Sequence, residues 1–228
     1  MTSTSDTVVL VHGLWVHGIV MALMRRRLER DGFRVFAYSY PSVRLGFVEN
    51  AARLARYCRD MGALRSHFIG HSLGGLIVLR MLEEAPDVVP RRVILAGTPV
   101  AGSHAARRLA RLPGGSAALG RSMMEWIEPR PLVCSTGCDI GVIAGRMPVG
   151  AGRIVAPDLP APHDGAVSVE ETRLPAMRDH IVLNVSHSGM LVSRAVAKKR
   201  INLVSDGAFD KADGEWRMAD GKRRKAEG

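Results

Sequence analysis

Cysteine is scarce and odd in number: Cys58, Cys134 and Cys138 are the only three in 228 residues. A disulfide framework needs a denser, even set. No histidine pattern stands beside the Cys134 and Cys138 pair to suggest zinc, so all three read as buried, reduced thiols and no metal is expected. No apolar run approaches the ~20 residues that span a bilayer, which excludes a membrane-spanning helix. The opening stretch "MTSTSDTVVLVHG" places no positive charge ahead of its apolar residues. It reads as a first strand rather than a secretion signal, and a cytoplasmic location is expected. Lysine is missing from residues 1–197, and all five lysines lie from Lys198 onward.

The net charge of +10 invites a nucleic-acid partner. Nearly all of it is arginine, however, spread along helix-like segments such as "RRRLERDGFR". Charges in that setting are solvated helix faces, and no specific nucleic-acid binding is expected.

Hydrophobic residues make up 46% of the chain, and its length suits one medium domain with a true core. Thr7–Val11 is apolar and β-branched throughout, as in a strand buried on both faces of a parallel sheet. A helix is expected over 17–30, with Ile19, Val20, Leu23, Met24 and Leu28 on one stripe. Strand "FRVFAYSY" and helix "GFVENAARLARYCRDMG" follow. Next come strand "HFIG", helix "LGGLIVLRMLEEA", strand "RRVILAG", strands "IGVIAG" and "HIVLNV", and a closing helix "SGMLVSRAVAKK". Between about 100 and 130 the pattern loosens into an excursion above the sheet. Strands alternating with helices imply an α/β fold of about six mostly parallel strands with helices on both faces. Residues 1–205 form this domain. Residues 206–228, rich in glycine and charge, read as a loose polar tail.

In such sheets functional residues gather at the carboxyl ends of the strands. After the third strand comes "GHSLGG", a G-x-S-x-G pattern in strand–turn–helix context. Gly70 and Gly74 permit the sharp bend and Gly75 eases helix approach, so Ser72 is the candidate nucleophile. A plain helix-capping serine would not need all three glycines. A serine hydroxyl needs a base, and His187 in "VSHSGM" follows the sixth strand. His71, inside the elbow, is expected to point away from Ser72. The base needs a carboxylate to fix its tautomer. Asp164 in "HDGAVSVEE" lies beyond the fifth strand and is the first choice. Asp158 is second, and Asp139 should lie at the wrong end of the sheet. "VHGLW" after the first strand lets the Leu14 N–H join that of Leu73 in holding an oxyanion. Trp15 is expected to wall a substrate pocket, with Met123, Met124 and Trp126 as candidates for its opposite side or for the core.

"VHGLW", "GHSLGG", "AGTPVAGS", "DGAVSVEETRL" and "VSHSGML" together resemble the α/β-hydrolase superfamily, and more closely its small serine lipase and esterase branch. The resemblance covers roughly residues 7–197. It implies a minimal α/β-hydrolase fold without the two extra amino-terminal strands, and a triad of Ser72, Asp164 and His187. It implies a carboxylic ester hydrolase working through an acyl-enzyme intermediate, with no cofactor and a small-molecule ester as substrate. A thioesterase or amidase with the same triad, or a non-catalytic hydrolase-like binding protein, is the alternative.

Overall fold

The computed structural model describes residues 6–127, 139–150, 152–175, 177–199, 216–219 and 222–225. Strand β1 (Thr7–Val11) pairs in parallel with β2 (Arg34–Tyr38) on one side and with β3 (His67–His71) on the other. β4 (Arg92–Ala96), β5 (Asp139–Gly145) and β6 (Asp179–Leu183) continue the sheet, each parallel to its neighbour. The strand order β2-β1-β3-β4-β5-β6 thus contains the six parallel strands expected from the sequence.

Alternation along each strand fills two cores. Val9, Val11, Phe68, Val93, Leu95, Ile140 and Val142 face one side. There they meet α2 (Phe47–Asp60) and α3 (Leu73–Glu84), with Leu54 and Leu76 fully buried. Val8, Leu10, Ile69, Ile94 and Ile143 face the other, against Met24 and Leu28 of α1 (Ala22–Arg30) and Val196 near the end of the domain. Each fully buried aliphatic side chain contributes about 1.5–3 kcal/mol, so both faces hold the sheet firmly. Cys58 lies in the first core, and burial pushes its thiol up to about 12, which makes it unreactive. Cys134 and Cys138 lie outside the described residues.

β1 and β3 are neighbours, yet β1 leads to α1 on one face and β3 leads to α3 on the other. That divergence opens a crevice at their carboxyl ends. The excursion between β4 and β5 supplies α4 (His104–Ala110) and α5 (Gly115–Trp126), the latter broken at Gly120. A short helix α6 (Gly152–Val155) follows β5.

Three expectations are corrected. The segment 17–30 begins as a 3-10 turn, Gly18–Met21, before α1. The closing helix is divided: a 3-10 turn spans Ser188–Leu191, and helix resumes at 194–199. Ser193 causes the division, because its Oγ accepts the Val196 N–H at 3.3 Å and caps the second piece. In the expected loose tail, β7 (Trp216–Ala219) pairs antiparallel with β6, and β8 (Lys222–Lys225) pairs with β7. Asp-Gly, a pair common in two-residue hairpin connections, separates them in sequence. Residues 206–215 lie outside the described ones. Among the described residues no helix is long and apolar enough to cross a membrane.

Candidate active site

Ser72 stands between β3 and α3 with φ 54° and ψ −126°, outside the regions open to ordinary residues. A backbone held there costs about 1–3 kcal/mol and persists only where its surroundings over-determine it. Here the Ser72 N–H donates to the Ala96 carbonyl at 2.9 Å, and the flanking glycines let neighbouring groups close in. A Cβ on Gly70 would run into the backbone of Gly75. One on Gly74 would overlap the carbonyls of Val11 and His12, and one on Gly75 would overlap Thr98. The strand and helix therefore meet almost backbone to backbone, and the bend presents Ser72 at the head of a twelve-residue helix.

His187 follows β6 and is gripped twice by one residue. Its N–H donates to the Asp164 carbonyl at 2.9 Å, and its Nδ1 lies 2.7 Å from Asp164 Oδ2. Asp164 is 1% exposed. Its other oxygen, Oδ1, accepts the N–H groups of Ala166 at 2.9 Å and Val167 at 2.8 Å. With Nδ1–H donated to the carboxylate, Nε2 of His187 keeps its lone pair. Gly97, in the left-handed region at φ 56°, passes beneath this pair. A Cβ there would stand 3.1 Å from His187 Nδ1 and 3.2 Å from Asp164 Oδ2.

Asp158 sits apart, exposed and paired with His104 at 3.3 Å and Arg108 at 3.3 Å, and its hydrogen bond with His104 holds its carboxyl below the usual range. Asp139 lies at the amino end of its strand, bonded to Arg178 at 2.6 Å. Among the three aspartates considered, only Asp164 touches His187.

The loop after β1 is fixed by His12, which is fully buried. Its Nδ1–H donates to the Gly13 carbonyl at 2.8 Å, and its Nε2 accepts the Tyr40 N–H at 3.2 Å. The Tyr40 hydroxyl donates to the His12 carbonyl at 2.9 Å, and the two rings stack at 4.4 Å. Burial lowers the pKa of His12, which keeps the ring neutral in this role. Gly13 then approaches the elbow: a Cβ there would lie 3.0 Å from that of Ser72.

Ser72, His187, Leu14, Leu73 and Trp15 all line one cavity of about 310 Å³. Leu109, Leu119 and Met123 from α4 and α5 form one wall, and Val155, Val167 and Leu191 lie elsewhere on its lining. Among the described residues that line it there is no aspartate, glutamate, lysine or arginine. One open reading is resolved here and one expectation fails. Of the three apolar residues considered as cover, only Met123 lines the cavity; Trp126 packs on Phe47 at 5.5 Å and Met124 joins the core. His71 does not point away. Its ring rests 4.7 Å from that of His187, and its Nε2–H donates to the His187 carbonyl at 3.0 Å. His71 is the last residue of β3 and shares the face of Ile69, the side on which Met190 and Leu191 pack. The supporting roles of Gly97 and the His12–Tyr40 pair had no signal in the sequence beyond residue type.

A parallel sheet wound on both faces, with an elbow serine at the point where its winding diverges, defines the class: an α/β protein of the hydrolase type. Residues 8–198 match the model of the Alpha/beta hydrolase family, and the chain belongs to that family. A search of curated proteins returns no match. Among solved structures, a Bacillus licheniformis lipase in its propeptide form superposes with a TM-score of 0.71 at 20% identity, over 90% of this chain and 51% of that one. This chain thus spans about half the length of that protein. The mature form of the same lipase gives 0.67 at 19% identity, over 88% and 91% of the two chains. An esterase from Thermogutta terrifontis gives 0.60 at 17% identity, over 83% and 85%. At these identities the likeness is one of fold.

Proposed function

We propose that this chain is a serine hydrolase of carboxylic esters, with Ser72 as nucleophile, His187 as base and Asp164 as its orienting carboxylate. The observation that carries the reading is the doubly held His187 sharing one mostly apolar cavity with a strained elbow serine. Ser72 Oγ attacks the acyl carbon as His187 Nε2 takes its proton. The N–H groups of Leu14 and Leu73 receive the developing oxyanion, where preorganised donors act most strongly. His187 returns the proton to the leaving alcohol. It then activates a water that attacks the acyl-enzyme and releases the acid. No step calls for a metal or an organic cofactor.

An apolar cavity of this size suits short and medium uncharged acyl groups, near the lower end of ligand-pocket volumes. The lipase and esterase among the fold neighbours agree with ester chemistry. The test is hydrolysis of p-nitrophenyl esters of graded acyl length by the wild-type chain and by Ser72→Ala. The variant should lose turnover by several orders of magnitude while keeping its fold. Wild-type-like turnover in a clean Ser72→Ala preparation would end the proposal.

A further inference from the structure

We propose that Trp15 is a positioning residue: its indole ties the loop that carries Leu14 to α5, and so fixes the Leu14 N–H where the oxyanion develops. The proposal rests on the ester-hydrolase reading above.

Trp15 has φ 61°, a left-handed conformation that a residue with a large side chain holds only under constraint. The constraint is visible. Its Nε1–H donates to the Ala118 carbonyl of α5 at 2.6 Å, 103 residues away in sequence. The residue is 58% exposed, so water could satisfy the indole equally well, and burial does not force the contact.

The acceptor is supplied by the break in α5. Gly120, at φ 71° and ψ 177°, interrupts the helix, and the Arg121 N–H donates sideways to the Val43 carbonyl. The turn before Gly120 therefore ends like a helix terminus, whose last carbonyls need outside donors. The flanking residue Leu119 and, one turn on, Met123 line the cavity. One hydrogen bond thus joins the wall that would seat the acyl chain to the loop that would bind the oxyanion. Displacing an oxyanion donor by a fraction of an ångström lowers the rate without weakening ground-state binding. A tryptophan that served only as a wall would behave differently: its loss would weaken binding, and more so for longer chains.

The experiment separates these roles. Trp15→Phe keeps an aromatic wall and removes the donor. Replacing the Trp15 indole by benzothiophene keeps the bicyclic shape and removes only the N–H. In both variants kcat should fall on the order of tenfold at every acyl length from acetate to octanoate, with KM unchanged. In amide spectra of ¹⁵N-labelled protein, the Leu14 resonance should shift and its hydrogen exchange quicken. A KM that climbs with acyl length at constant kcat would overturn the proposal. So would an unmoved Leu14 amide, whether or not the chain hydrolyses esters. Ser72→Ala, assayed alongside, tests the hydrolase reading separately.

Discussion

Replacing Asp164 with asparagine isolates one property of the site, the tautomer of His187. The side chain keeps its shape, and its surroundings decide its orientation. Asp164 Oδ1 accepts two backbone N–H groups, from Ala166 and Val167. If the amide nitrogen faced them, two buried hydrogen bonds would be lost and buried donors left unpaired, at about 1–3 kcal/mol for each group. The asparagine carbonyl therefore takes the Oδ1 place, and its NH₂ points at His187 Nδ1. That nitrogen must now accept, so the ring proton moves to Nε2, the atom that should take the proton of Ser72. The expected loss in kcat is about 10⁴-fold, as for the equivalent change in the serine-protease triad. That is roughly 5 kcal/mol of transition-state stabilisation. The assay is kcat/KM on p-nitrophenyl butyrate, with thermal unfolding to show that the fold survives. Asp158→Asn is the matched control, since Asp158 pairs with His104 and Arg108 at an exposed position. A nearly silent Asp164→Asn beside a crippling Asp158→Asn would refute the reasoning.

Three further outcomes are expected. His180 is buried, and desolvation pushes its pKa down to about 4. The unfolded chain takes up this proton near pH ~6.5, so stability falls as pH drops from there toward 4, by about 2 kcal/mol at pH 5. Urea unfolding at pH 7 and pH 5 should show the loss, and His180→Gln should reduce it, leaving the share of His12 and His67, which burial also holds low. Met123→Ala should move the preferred p-nitrophenyl ester toward longer acyl groups, at about 2–5 kcal/mol in stability, because it opens a buried part of the cavity wall; an unchanged chain-length profile would place the acyl group elsewhere. Removing residues 207–228 should leave kcat/KM nearly unchanged, since the residues described around the cavity all lie between Gly13 and Leu191. It should raise self-association in sedimentation experiments, because β6 would lose the strand that pairs with it.

The parallel sheet was legible because its strands are continuous apolar runs, as in Thr7–Val11, separated by helices with one apolar stripe. The rule that chemistry sits after the strands directed attention to Ser72, Asp164 and His187, and the last two do meet in space. Their roles remain proposals, yet Asp139 could be set aside from sequence alone, since it precedes its strand. What stayed hidden depends on tertiary direction. His71 ends β3, and only the fold brings His187, 116 residues on, against its ring. Trp126 and Met123 share one helix, and only packing against Phe47 decides which of them faces the cavity. Ser193 divides the final helix through a single cap that apolar periodicity does not register. The last two strands, at 216–219 and 222–225, carry mostly polar and basic residues, a composition that reads as solvated chain until a neighbouring strand offers it partners.

The placement of α4 and α5 between β4 and β5 has a practical meaning for redesign. This insert contributes Leu109, Leu119 and Met123 to the cavity but neither partner of the Asp164–His187 pair. It is moored to the body by polar fastenings away from the cavity: Glu125 Oε2 accepts the Phe47 N–H at 2.6 Å, and Asn50 donates to Ser122 Oγ at 2.8 Å. On α5 the moorings, Ser122 and Glu125, and the cavity residues, Leu119 and Met123, are thus different side chains. A library that randomises positions 109, 119 and 123 while holding Asn50, Ser122 and Glu125 constant, and keeping the Trp15–Ala118 tie, would explore substrate preference as an exchangeable cassette.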